Sequence, residues 1–181
     1  LHRVDRRQRQ MCIRDSAWRT GGAASGGSTM FLPVNSQATV DELLHGVIIQ
    51  SGNDASIAIA EHIAGSEDAF ADMMNATAER LGMKNSHFMN ATGLPHPDHY
   101  SSAHDMAILA RAIINEDAEH YAIYSQKEFL WNNIKQPNRN LLLWRDRTVD
   151  GLKTGHTNEA GFCLVALSLI HISEPTRQEA I

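Results

Sequence analysis

Gly151 to Ala166 reads GLKTGHTNEAGFCLVA. Two runs, Gly151 to Thr157 and Gly161 to Ala166, flank a turn near Asn158-Glu159, so the stretch predicts an antiparallel pair of strands. The periodic segments before it are helical. Thr39-Val40-Asp41-Glu42 is a capping box: the Thr39 hydroxyl takes one free N–H and Glu42 reaches back to another. Val40, Leu43, Leu44, Val47 and Ile48 then fall on one helical face. Asn53 to Ala64 is rich in Ala and Ile nearly all round, as a buried helix should be, and Gly65 is placed to end it. Ser66 caps the next helix, with Phe70, Met73, Met74, Thr77 and Leu81 as its inner face and Gly82 as its stop. Asn90 to Tyr100 is a loop, and Ser102-Ala103-His104-Asp105 opens a further helix with the stripe Met106, Leu109, Ala110 and Ile113. Helices grouped in the middle and strands late in the chain indicate an α/β or α+β domain with an antiparallel sheet.

Composition narrows the classes. The 181 residues are 43% apolar with a formal charge of −5, enough for one domain with a sizeable core or for part of a two-lobed one. Mild acidity argues against a nucleic-acid-binding surface, which wants a basic face. No apolar run approaches the roughly 20 residues needed to span a bilayer. Cys12 and Cys163 offer neither a disulfide framework nor metal-ligand spacing. His96, His99 and His104 are close in sequence, but their gaps fit no standard zinc motif, so no metal or other cofactor is expected.

The two ends read differently from the middle. Residues 1–16 carry five arginines, and the run RRQRQMCIRDS from Arg6 to Ser16 has no amphipathic period, cap or apolar signal region. LSLIHISEPTR, from Leu167 to Arg177, is equally hard to place. Met11 to Ser16 back-translates to ATG-TGT-ATA-AGA-GAC-AG, and Leu169 to Ile172 to CTT-ATA-CAC-ATC, which starts inside its reverse complement, the two strands of a transposase-based sequencing-library adapter. The expectation is therefore a non-native segment at 1–16, a partial domain at 17–166 and a second non-native segment at 167–181. Without the ends, 10 basic and 17 acidic residues remain, a net −7.

Two short motifs carry chemistry. Ser51-Gly52-Asn53 lies between two helices, and Lys153-Thr154-Gly155 lies on the first predicted strand. A hydroxyl at Ser51 on a tight loop can pass a proton between an amine and a leaving group. Asn53 offers both donor and acceptor to a substrate amide. Lys153 puts positive charge where a carboxylate or developing oxyanion would sit, and Thr154 adds a hydroxyl. Gly155 lets a substrate strand approach the backbone. Singly, Ser51-Gly52-Asn53 reads more readily as a helix-entry cap and Lys153-Thr154-Gly155 as a surface hairpin; their order and separation are more specific.

With IIQSGNDAS (Ile48 to Ser56), Leu81-Gly82-Met83, Thr92-Gly93-Leu94, YSSAHDMA (Tyr100 to Ala107) and VDGLKTGHT (Val149 to Thr157), residues 17–166 resemble the D-alanyl-D-alanine carboxypeptidases among the low-molecular-mass penicillin-binding proteins. The resemblance implies a β-lactamase/transpeptidase-like α/β fold, a helical cluster plus an antiparallel sheet, incomplete at both ends. It implies a serine acyl-enzyme mechanism on peptidoglycan stem peptides ending in D-Ala-D-Ala, with β-lactams as inhibitors of the complete enzyme. In it, Ser51 matches the proton-relay serine, Asn53 the amide holder, and Lys153 and Thr154 the carboxylate binders. Gly155 completes that motif, and His156 lends a backbone N–H to the oxyanion hole.

The family's Ser-x-x-Lys nucleophile has no match: Ser16, Ser25 and Ser28 are followed three residues on by Arg19, Ser28 and Phe31, and the first lysine is Lys84. The chain as written is expected not to turn over substrate. A serine β-lactamase fragment and a non-catalytic peptidoglycan-binding module are the other readings. The resemblance places the protein in the periplasm or on the outer face of the cytoplasmic membrane, with membrane association only through a C-terminal anchor that this sequence lacks.

Overall fold

The computed structural model describes residues 10–21, 27–116 and 118–168. The chain runs β1 (Gln10–Cys12), α1 (Asp15–Gly21), β2 (Gln37–Thr39), α2 (Val40–His45), a π-helix (Gly46–Gln50), α3 (Asn53–Ala64), α4 (Glu67–Leu81), α5 (Ala103–Glu116), α6 (Ala118–Tyr124), β3 (Glu128–Trp131), β4 (Ile134–Pro137), α7 (Leu142–Arg145), β5 (Gly151–Thr157) and β6 (Gly161–Leu167). The strands form three antiparallel pairs, β1 with β2, β3 with β4 and β5 with β6. No helix among the described residues is long and apolar enough to cross a membrane.

The expected boundaries follow from local chemistry. Glu42 N–H donates to the Thr39 hydroxyl (3.2 Å) and Thr39 N–H to the Glu42 carboxylate (2.7 Å), which completes the capping box of α2. Ser66 Oγ accepts from Ala69 N–H at 3.2 Å and starts α4. Gly65 ends α3 in the left-handed conformation, at φ 86°. β5 and β6 pair in the expected hairpin, Lys153 opposite Val165 and His156 opposite Phe162.

Three features differ from the sequence reading. The helix begun at Thr39 widens into a π-helix at Gly46, which buries Ile48 and Ile49. On α4 the most buried positions are Ala71 and Ala78, and Met73 is 48% exposed, because the inner stripe runs through 71, 74 and 78 and passes Met73 by. Residues 10–16, read as having no regular structure, do take part: Met11 pairs with Ala38, and Met11 and Ile13 are buried in the core. Alternation over four residues suffices for that, and is too short to register as a period. Residues 1–9, most of the loop expected over Gly21–Ser28, and 169–181 lie outside the described residues.

The largest core cluster gathers Met30, Leu32, Leu43, Ala55 and Ile57 with Met11 and Ile13, and it seats the N-terminal end of α3. α1 packs on α3 there. A Cβ at Gly21 would lie 2.6 Å from Asp54 N and 2.7 Å from the Asn53 carbonyl carbon, both backbone atoms that cannot step aside. Gly21→Ala is therefore expected to cost about 1–3 kcal/mol of stability through overpacking. Urea unfolding checks it, and an unchanged midpoint would contradict the close approach.

Candidate active site

Ser51 stands where the π-helix stops. It adopts φ 59° and ψ 39°, the left-handed region that few serines occupy. Gly52 N–H donates back to Gly46 O at 3.0 Å and closes the wide turn. The chain then enters α3 through Asn53, which is buried and whose N–H donates to Ser28 O at 2.9 Å. A short loop pinned at both ends thus presents the Ser51 hydroxyl and the Asn53 amide together.

Lys153 arrives on β5, 102 residues later, and its Nζ donates to Ser51 Oγ and to Thr154 O, the latter at 2.9 Å. Burial strips water from the ammonium and the Arg139 guanidinium repels it, so its pKa falls from 10.5 to about 8. At neutral pH Lys153 keeps its charge, yet it gives up a proton far more readily than a surface lysine.

These groups share a cleft of about 1260 Å³, which runs along residues 153–157 of β5 and past Ser51, Asn53, Arg139 and the loop 92–95. All six residues expected from the sequence (Ser51, Asn53, Lys153, Thr154, Gly155 and His156) line it. β5 pairs with β6 alone among the described residues, so it has an open edge. An added Cβ on Gly155 would meet only Cys163 Cβ, at 3.8 Å, so protein packing does not demand a glycine there. The His156 ring packs on Phe162, with centroids 4.3 Å apart, which ties the side chain to the hairpin.

Three further residues were missed. Arg139 lines the cleft, and its N–H donates to Ile49 O (3.3 Å) on the π-helix that delivers Ser51. Asn140, 1% exposed, donates from Nδ2 to Gly151 O (3.3 Å) at the start of β5. Asn138 Oδ1 accepts from Asn140 N–H (2.9 Å), and its Nδ2 donates to Gln126 O (2.8 Å). Residues 138–140 therefore bridge the two motif-bearing segments. The only sequence signal was an Asn-Arg-Asn triplet between apolar runs, which reads as an ordinary turn.

A family profile described as D-alanyl-D-alanine carboxypeptidase matches residues 2–173. The chain is 51% identical over 156 residues to D-alanyl-D-alanine carboxypeptidase DacC of Escherichia coli K12, covering 85% of this chain and 39% of the relative. It is 48% identical over 168 residues to DacA of Haemophilus influenzae, covering 92% and 41%. The chain thus spans about two fifths of the length of these relatives. Among solved structures, penicillin binding protein 5 of H. influenzae superposes with a TM-score of 0.84 at 48% identity, covering 88% of this chain and 46% of that one. A Streptomyces K15 DD-transpeptidase mutant, at 24% identity, shares the fold with a TM-score of 0.82 over 90% of this chain and 68% of its own.

The Lys153 environment has a measurable consequence. Its folded pKa lies below the unfolded one, so between pH 8 and 10.5 the unfolded chain holds more protons. Stability contributed by Lys153 accordingly rises with pH through that window, while affinity for a carboxylate falls as the charge is lost. The ¹³Cε shift of Lys153 is expected to titrate with a midpoint near 8. A midpoint at the ordinary 10.5 would contradict the site as described.

Proposed function

Because the chain belongs to the D-alanyl-D-alanine carboxypeptidase family, we propose that it forms most of the substrate cleft of a serine peptidase that removes the terminal D-alanine from peptidoglycan stem peptides. The observation that carries this reading is the meeting of Lys153 with Ser51 in one cleft along an open strand edge. In this reading the stem peptide adds to β5 as a further strand. Its terminal carboxylate lies among Lys153, the Thr154 hydroxyl and Arg139, a cationic corner suited to an anion. Asn53 holds the substrate amide, and the His156 N–H polarises the scissile carbonyl.

Proton traffic follows from the Lys153 contact. Ser51 Oγ accepts from Lys153 Nζ, so its own proton is free to go to the departing D-alanine nitrogen, and the ammonium replaces it. A lysine with a pKa of about 8 can lose that proton and regain it near neutral pH. The acylated hydroxyl and its base belong to a Ser-x-x-Lys, a pattern absent from this sequence. The chain alone therefore binds without cleaving. The complete enzyme works in the periplasm or on the outer face of the cytoplasmic membrane and is acylated by β-lactams.

Titrating the isotope-labelled chain with an N-acyl-D-Ala-D-Ala peptide tests this. Amide shifts are expected at Ser51, Asn53 and 153–156, larger than with the L,L peptide and without release of D-alanine. Lys153→Met should weaken binding by roughly 10- to 100-fold, the usual worth of a charge-assisted hydrogen bond. Shifts confined elsewhere would overturn the cleft assignment, and released D-alanine would overturn the missing nucleophile.

A further inference from the structure

Asp54 is a buried carboxylate that the proposed chemistry does not use. It is 2% exposed and lies in the first turn of α3, next to Asn53. Its Oδ1 accepts from Met30 N–H (2.8 Å) and Ala55 N–H (3.0 Å), and its Oδ2 accepts from Leu32 N–H (3.0 Å). One carboxylate thus grips alternate residues of the segment 28–32. Phe31 between them is forced to φ 66° and stands 51% exposed. An aromatic residue in that conformation persists only where its surroundings over-determine it.

The gripped segment acts as a strap across the site. Ser28 O takes the Asn53 N–H, and Met30 O takes Gln136 Nε2 at 3.1 Å. The Met30 side chain is fully buried against the π-helix: a Cβ at Gly46 would lie 2.2 Å from Met30 Sδ. A Cβ at Gly52 would lie 3.1 Å from Met30 N. Gly27 and Ser28, at the start of the strap, line the cleft itself. The segment therefore touches both turns that flank Ser51.

We propose that Asp54 is a positioning residue: through the strap 28–32 it sets the place of the Ser51–Asn53 loop and of the Ser28 edge of the cleft. The proposal rests on the reading of Ser51, Asn53 and Lys153 as the site. A purely structural Asp54 would lend stability and leave the cleft groups as they are. Asp105 provides that comparison, since it is equally buried, at 1%, but binds Asn85 N–H and the Ser86 hydroxyl.

Asp54→Asn keeps the volume and turns an amide NH₂ or a weaker acceptor toward backbone N–H groups. Hydrogen exchange at Met30 and Leu32 should accelerate by roughly 10- to 100-fold, as expected for lost bonds to a charged acceptor. As the wall loosens, the Lys153 midpoint should move up from about 8 toward 10.5, and N-acyl-D-Ala-D-Ala binding should weaken about 10-fold. The chain has four lysines, Lys84, Lys127, Lys135 and Lys153, so ¹³C-lysine spectra with Lys153→Arg for assignment give the readout. Asp105→Asn should lower stability and leave both readouts in place. If Asp54→Asn does not fold, Gln136→Met, which frees Met30 O, is the deciding variant and should move Lys153 the same way. A folded Asp54→Asn with unchanged Lys153 titration and ligand binding overturns the proposal, as does an equal shift in Asp105→Asn or an unmoved Lys153 in Gln136→Met. A wild-type Lys153 midpoint at 10.5 fails the site reading instead, which separates the two claims.

Discussion

The contact of Lys153 with Ser51 joins segments 102 residues apart inside the cleft that both line. An ammonium taken out of water is unfavourable unless fixed partners replace its hydration. Here Ser51 Oγ and Thr154 O are those partners, and the nearby Arg139 makes the position less comfortable still. The rest of the chain must therefore hold two loops and a strand at a distance that they would not choose alone. Depressed lysine pKa values gather at functional sites for this reason, and the same desolvation gives the group an accessible proton.

What holds them is a set of buried polar side chains rather than the helices themselves. Loops that turn inward bring backbone N–H and C=O groups that need partners, and a buried group left without one costs about 1–3 kcal/mol. Asp54 meets this need for residues 30 and 32, Asn138 for Gln126, and Asn140 for Gly151 and Leu142. Asn90 does the same for the turn 92–94 that overhangs the cleft: its Oδ1 accepts from Gly93 N–H at 2.7 Å and its Nδ2 donates to Leu94 O at 3.0 Å. The helices supply the apolar platform, and short polar side chains aim the loops that line the cleft. Such placement tolerates few substitutes, because a replacement must match both length and donor pattern.

Local rules made the helix starts, the glycine stops and the β5–β6 hairpin readable before any coordinates. The Thr39 box, the Ser66 cap and the turn at 158–159 are each encoded within a few residues. The motif pair was legible for a similar reason, since hydroxyl, amide and ammonium announce their chemistry. Arg139, Asn138, Asn140 and Asp54 were not, because a side chain that serves a distant backbone group has no period and no local partner. The π-helix was hidden by the same logic: it begins at Gly46, whose missing side chain leaves the room that the distant Met30 occupies. The share of β1 in the core escaped notice because Met11 and Ile13 form too short a pattern to weigh against the arginines around them.

Residues within this chain suffice to bring the Ser51 loop and the Lys153 strand together. A ¹³C-edited NOE between the Ser51 β-protons and the Lys153 ε-protons, in the chain alone and without ligand, tests it most directly. A cross-peak is expected, and it should disappear in Lys153→Arg spectra recorded with lysine labelling. A folded chain with both residues assigned and no such cross-peak would contradict it.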